Sequence, residues 1–147
     1  MHEFISGIIA NHILKTAFLA WLTAQVLKVM INVLSYGKLD LTRLVGAGGM
    51  PSSHTALVIA LATSVGREMG WESILFAIAA VLAGVVMYDA AGVRRATGMQ
   101  AEAINKIISD IYHGERIQPG RLKELIGHTP LEILAGAIIG IVYGIVI

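Results

Sequence analysis

Two short segments of the sequence combine a histidine with residues that bind anions. The first, Gly48–Thr55, reads Gly-Gly-Met-Pro-Ser-Ser-His-Thr and directly precedes the apolar run 56–65. A helix beginning there would point its unpaired N–H groups and the positive end of its dipole at an anion, with serine hydroxyls as further donors. The alternative is purely structural: an N-capped helix in which His54 only occupies the first turn.

The second segment, Gly127–Glu132, reads Gly-His-Thr-Pro-Leu-Glu and precedes the last apolar run. Thr129 suits an N-cap, Pro130 the first helical position and Glu132 the third, which together form a capping box. His128 and Glu132 are four residues apart and therefore share one face of a helix. Glu132 is thus either the partner of His128 or only a capping residue, and both alternatives stay open.

Composition places these segments in a membrane protein. The chain of 147 residues is 56 % hydrophobic and only 14 % charged, with a mean hydropathy of +0.73, whereas a soluble domain carries about a quarter charged residues. The net charge of +1 and the lack of a basic run with aromatics exclude nucleic acid as a partner. There is no cysteine, so disulfide and thiolate chemistry are excluded. The N-terminus lacks the basic region and cleavage site of a signal peptide.

Hydropathy predicts one all-α domain over residues 1–147, built as a polytopic bundle of about four transmembrane helices. Each apolar stretch approaches the roughly 20 residues that a bilayer requires, and residues 4–12 form an interfacial lead-in. A five-span alternative would split residues 4–36. The predicted spans are 13–36, 52–69, 73–91 and 129–147.

Two further patterns concern packing. Residues 99–127 are too polar to span; Ile104, Ile107 and Ile108 face away from Glu102 and Lys106, which predicts an amphipathic interfacial helix lying on the surface or packed on the bundle. In the last span, a glycine recurs every four residues and gives a smooth face for close helix contact or for a homodimer. These glycines are Gly136, Gly140 and Gly144.

Four spans would bring the chemistry to one side of the membrane. The end of the first, the start of the second, the end of the third and the start of the fourth share that side. Two histidines, several cations and two helix N-termini would meet there, without an acidic cluster to bind a metal; this suits a phosphate ester. Lys28 lies within the first span and is either functional or snorkels to the interface. The excess of Lys and Arg predicts that this side faces the cytoplasm, in the cell (inner) membrane.

The two segments resemble motifs of the type 2 phosphatidic acid phosphatase (PAP2) superfamily, which is related to vanadium haloperoxidases. Pro51-Ser52-Ser53-His54 resembles the family's Pro-Ser-Gly-His, with Ser53 in place of glycine. His128-Thr129-Pro130-Leu131-Glu132 looks like its His-x-Pro-x-Asp ending, with glutamate for aspartate. Ser35-Tyr36 stand where the family has Arg-Pro, and Gln100 stands where its Ser-Arg motif places a histidine. The order of the motifs, each at the start of a span, resembles the small divergent branch of the superfamily.

The resemblance implies a lipid phosphatase that uses neither metal nor cofactor. His128 would be the nucleophile that forms a phosphohistidine, Glu132 would orient it, and His54 would protonate the leaving group. The phosphate oxygens would be held by Lys28, Arg43, Ser52, Ser53, Arg94 and Arg95. The substrate would be a lipid phosphate or diphosphate in the bilayer. Two alternatives stay open: a non-catalytic transporter or binding protein for phosphorylated lipids, and a small structural membrane subunit.

Overall fold

The computed structural model of the chain describes residues 1–37, 49–111 and 128–147. Every regular element in these ranges is an α-helix, which confirms the all-α prediction for this part of the chain. The helices are α1 (His2–Ala10), α2 (His12–Tyr36), α3 (Ser53–Met69), α4 (Ile74–Ala91), α5 (Val93–Ile111) and α6 (Pro130–Val146).

Short polar side chains cap the helices and determine where they begin. Asn11 accepts a hydrogen bond from the backbone N–H of the third helical residue of α2 at 3.0 Å. Ser52, Ser73 and Thr129 accept the equivalent bond in α3, α4 and α6, at 3.4, 3.1 and 3.3 Å. Because these caps satisfy N–H groups that a helix leaves unpaired, the four predicted spans agree with α2, α3, α4 and α6 to within one residue at each end.

Two helices in the described part are long and apolar enough to cross a membrane, over His12–Ser35 and Ile74–Ala91. The last helix, Pro130–Val146, is apolar but has 17 residues, and α3 also has 17. Length and composition therefore support two of the four predicted spans, and the other two stay predictions. The nine residues of α1 extend only about 14 Å at a helical rise of 1.5 Å per residue, which is too short for the fifth span.

Helix α3 lies at the centre of the bundle and packs against α2, α4 and α6. Its contacts are made by small residues: Ala56 and Ala60 on α3 and Ala20 and Ala24 on α2 are fully buried in one cluster. Small side chains let helix backbones approach closely, so the packing gains dispersion contacts along the whole helix.

The glycine face of α6 makes the closest of these contacts. A Cβ built on Gly140 would lie 2.8 Å from the carbonyl oxygen of Ala56 and 2.7 Å from Cβ of Ile59, and Gly136 and Gly144 are also buried against α3. The predicted close helix contact is therefore present, and it forms within one chain. Within the chain α3 covers this face, and the homodimer through the same face stays a prediction.

Helix α5 begins six residues before the predicted insertion 99–127, directly after Gly92, and residues 112–127 lie outside the described part. Its apolar side chains Ile104 and Ile107 are exposed, at 44 % and 56 %. This helix was predicted either to lie on the surface or to pack on the bundle, and the exposure of these side chains favours the surface. Its position at a membrane interface stays a prediction.

Side chains join the helices at the end of the bundle where α2 begins. Nδ1 of His12 lies 2.9 Å from Oε1 of Glu68, the last turn of α3, in an exposed pair. The Arg67 guanidinium donates hydrogen bonds to the carbonyl oxygens of Ile145 and Ile147 at the end of α6. These bonds tie α2, α3 and α6 together at this end of the bundle, opposite the Gly49–His54 segment and His128.

We expect Gly140→Ala to destabilise the protein and Gly84→Ala to leave it as stable or make it more stable. Both changes gain up to about 1 kcal/mol of helix propensity. Only the first places a methyl group against a backbone carbonyl, because nothing lies within 4 Å of a Cβ at Gly84; overpacking of this kind costs about 1–3 kcal/mol. Thermal unfolding of both variants in detergent measures the difference. Equal melting temperatures would contradict the intrachain contact.

Candidate phosphate site

Two backbone hydrogen bonds bring the two histidine-bearing segments to one end of the bundle. The N–H of Ser52 donates to the carbonyl oxygen of Glu132 at 2.9 Å, and the N–H of His128 donates to that of Ala90 at 3.0 Å. The starts of α3 and α6 and the end of α4 are therefore in direct contact. The N-termini of two helices lie side by side there, and the positive ends of their dipoles attract anions.

His128 is buried and held by one carboxylate. The residue is 2 % exposed, and its Nδ1 lies 2.9 Å from Oε2 of Glu132. Since an ionised carboxylate only accepts hydrogen bonds, Nδ1 carries a proton, and in the neutral ring Nε2 then carries the lone pair. Nε2 is buried and has no hydrogen-bond partner among the described residues. The contact with Glu132 thus orients the ring and leaves Nε2 unpaired within the described part of the chain.

Glu132 has both of the functions that the sequence left open. The same Oε2 atom accepts a hydrogen bond from the N–H of Thr129 at 3.1 Å, and the Thr129 hydroxyl accepts from the N–H of Glu132 at 3.3 Å. This completes the predicted capping box. One carboxylate oxygen therefore caps α6 and positions the His128 ring.

Lys28 is buried below the loop that precedes α3. It is 3 % exposed, and a Cβ on Gly49 would lie 3.3 Å from Cγ of Lys28. Gly49 has φ +87, a conformation that favours glycine, so any other residue there would be strained and would crowd the lysine stem. Burial at this depth excludes a lysine that snorkels to the surface.

Three of the four side chains in the Ser-Ser-His-Thr segment are buried and one is exposed. Ser52, Ser53 and Thr55 are at most 1 % exposed, whereas His54 is exposed. The Ser52 hydroxyl accepts hydrogen bonds from the N–H of Thr55 at 3.4 Å and from its hydroxyl at 3.0 Å. The capping role of Ser52 is therefore present, and the two predicted catalytic histidines differ sharply in burial.

The predicted arginines are only partly described. Arg43 lies outside the described residues. Arg94 and Arg95 occupy the first turn of α5, four and five residues after Ala90, whose carbonyl receives the N–H of His128. Their backbone is thus close in sequence to an anchor of the site, and their side chains lie outside the described part. No group of three or more His, Cys, Asp or Glu side chains suited to a metal occurs in residues 1–37, 49–111 and 128–147.

An apolar groove beside these residues was not predicted. It has a volume of about 250 Å³ and lies between α2 and α6, next to Met50 and Pro51. Its other walls are formed by Leu27, Ile31, Ala135, Ile138 and Ile139. In the sequence these positions do not differ from other apolar residues of the spans, so only the packing of three segments reveals the groove.

The comparison with known sequences decides the family. The model of the divergent PAP2 family matches residues 9–143. The chain belongs to this family. It is also 40 % identical over 151 residues to "Uncharacterized membrane protein YuiD" of Bacillus subtilis (strain 168), an alignment that covers 95 % of this chain and 96 % of that protein. No solved structure gave a significant match.

The family match confirms the resemblance drawn from the two motifs. Its span of residues 9–143 includes α2 to α6 up to Tyr143, and thus all described residues of the candidate site.

The two functions of Glu132 predict that two substitutions affect stability differently. Thr129→Ala removes the N-cap and should cost about 1 kcal/mol. Glu132→Gln should cost less, because glutamine also completes a capping box. Chemical or thermal unfolding in detergent measures both. A larger loss for Glu132→Gln than for Thr129→Ala would show that the carboxylate contact with His128, not the cap, dominates stability at this end.

Proposed function

We propose that the protein is a metal-independent membrane phosphatase that hydrolyses a lipid phosphate or diphosphate through a phosphohistidine on His128. One observation carries the proposal: a buried imidazole whose Nδ1 is held by Glu132 at 2.9 Å and whose Nε2 has no partner in the described part of the chain. Leaving a buried polar atom unpaired costs about 1–3 kcal/mol, and a nucleophilic nitrogen must keep its lone pair unpaired.

In the first step, Nε2 of His128 attacks phosphorus and the bond from phosphorus to the lipid oxygen breaks. His54 donates a proton to that oxygen, which leaves as the lipid alcohol or, from a diphosphate, as the lipid monophosphate. In the second step, water attacks phosphorus while His54 takes one of its protons, the bond from phosphorus to Nε2 of His128 breaks, and inorganic phosphate is released. Glu132 stabilises the positive charge that develops on the His128 ring.

Charges around the site would stabilise the transition state. Lys28 lies buried beside the loop, and the N-termini of α3 and α6 lie side by side; both attract the phosphoryl oxygens. The other residues proposed to bind the phosphoryl oxygens are Arg43, Ser52, Ser53, Arg94 and Arg95.

Three observations support a location in the membrane. Two helices are long and apolar enough to cross a bilayer, the chain belongs to a PAP2-related family, and its relative in Bacillus subtilis is named a membrane protein. We place α2, α3, α4 and α6 across the inner membrane, with the candidate site at the cytoplasmic side, where most Lys and Arg residues lie.

The exposed side chain of His54 favours one alternative function. If His54 does not reach the leaving group, the same pocket would bind a phosphorylated lipid without hydrolysing it, as a transporter or binding protein does. Binding without release of phosphate distinguishes this function from catalysis.

The purified protein should release inorganic phosphate from detergent-dispersed lipid phosphates. Vanadate should inhibit the release, because it mimics the pentacoordinate transition state, and EDTA should not. His128→Ala should lower kcat by about 10³-fold or more. His12→Ala serves as a matched control, since it breaks a histidine–carboxylate pair of the same 2.9 Å length at the opposite end of the bundle.

Glu132→Gln should also lower kcat, by roughly 10²–10⁴-fold, with little change in KM, because it removes the charge that stabilises the His128 ring. No release across a broad panel of lipid phosphates would reject the phosphatase. Transport and binding assays in liposomes would then test the alternative function.

Cysteine labelling should determine the orientation, since the chain contains no cysteine. Lys106→Cys and Glu72→Cys introduce single thiols at exposed positions on α5 and between α3 and α4. In intact cells, an impermeant maleimide should label position 72 from outside and position 106 only after lysis. The reverse pattern would place the site on the outer side.

A further inference from the structure

The apolar groove between α2 and α6 opens to the surface of the bundle. Its outermost side chains, Ile31, Met50 and Ile138, are 38 %, 37 % and 55 % exposed, and its seven lining side chains are all apolar. A polar peptide would leave its backbone N–H and C=O groups unsatisfied there. A hydrocarbon chain has no such groups.

The groove shares its walls with the candidate phosphate site. On α2, Leu27 immediately precedes the buried Lys28. In the loop, Met50 and Pro51 immediately precede Ser52, whose N–H donates to the Glu132 carbonyl. On α6, Ala135 lies three residues, nearly one helical turn, after Glu132. Each of the three walls thus contains a residue that lies within three positions, in the sequence, of Lys28, Ser52 or Glu132.

We propose that this groove binds one hydrocarbon chain of a membrane lipid phosphate while the phosphate lies at His128 and Lys28. The proposal rests on the function proposed above and specifies how the lipid is held. The narrow volume of about 250 Å³ suits one chain, so a second chain of the same lipid would remain in the bilayer. The apolar lining and the adjacent cations match the two parts of such a molecule.

The proposal makes affinity depend on chain length up to the point where the groove is filled. For a soluble alkylphosphonate that binds from water, burial of one methylene contributes about 0.8 kcal/mol, which corresponds to a roughly fourfold gain in affinity. Chain atoms beyond the groove would lie in the bilayer whether or not the groove is blocked, so they would add nothing to the difference between the wild-type protein and a variant with a blocked groove.

Binding of non-hydrolysable alkylphosphonates tests the proposal independently of turnover. Butyl-, hexyl-, octyl- and dodecylphosphonate are titrated against the purified protein in nanodiscs, with the binding constants taken from displacement of a fluorescent lipid phosphate. Ala135→Phe fills the groove from α6. Ala77→Phe is the matched control, because Ala77 is exposed on α4 and does not line the groove.

We expect affinity, calculated from the concentration free in water, to rise about fourfold per methylene in the wild-type protein and in Ala77→Phe until the groove is filled. In Ala135→Phe the octyl and dodecyl compounds should bind about as weakly as the butyl compound, at least tenfold below wild type. Dodecanol, which lacks the phosphonate, should not displace the probe. Ile138→Ser, which places a hydroxyl in the groove, gives the same test if Ala135→Phe does not fold, as judged by its melting temperature.

An identical dependence on chain length in all three proteins would overturn the proposal, because the chain would then lie in the bilayer. A change in oligomeric state of Ala135→Phe on size-exclusion chromatography would also overturn it and assign the groove to a second copy. Binding that depends on the groove without any phosphate release would reject the phosphatase and keep the lipid site. Phosphate release that Ala135→Phe leaves unchanged for long-chain substrates would keep the phosphatase and reject the lipid site.

Discussion

The close contact between α3 and α6 is the constraint on which the rest of the structure depends. Because Gly136, Gly140 and Gly144 carry no Cβ, the two helices approach until backbone atoms of one meet those of the other. The two helix starts then lie at the same height, and the N–H of Ser52 reaches the carbonyl of Glu132. A single methyl group at Gly140 would separate the helices and break this alignment. The contact between Ser52 and Glu132 therefore depends on three glycines that lie about one, two and three turns further along α6.

The two ends of the bundle are joined by different kinds of interaction. At one end, charged side chains connect the helices: His12 pairs with Glu68, and Arg67 holds the last carbonyls of α6. At the other end, two backbone hydrogen bonds, from Ser52 and His128, connect the helices. Backbone bonds fix the position of a residue without using its side chain. Nε2 of His128 has no partner in the described part of the chain, so this nitrogen is not used to hold the helices together there.

Much of the fold could be predicted because its signals are local. A cap such as Asn11 or Thr129 acts within three residues of itself, so the helix limits follow from the sequence alone. The contact of Glu132 with His128 is also local, four residues along one helix. In contrast, the partner of the glycine face, the burial of Lys28 and the exposure of His54 depend on how each helix is rotated about its axis in the bundle. Helical periodicity shows which residues share a face but not which neighbour that face meets, and the apolar groove was missed for the same reason.

The position of Lys28 connects stability with ligand binding. A buried ammonium group is costly unless negative charge or hydrogen-bond acceptors surround it. Its stem packs on Gly49, one residue from the Met50-Pro51 wall of the groove, and the N-termini of α3 and α6 add further positive potential at this end. A phosphate group at this end would be attracted by Lys28 and by the N-termini of α3 and α6, whereas an uncharged ligand would not. An alcohol product would therefore keep only the contacts of its hydrocarbon chain, so loss of the phosphate should itself weaken binding and favour release into the bilayer.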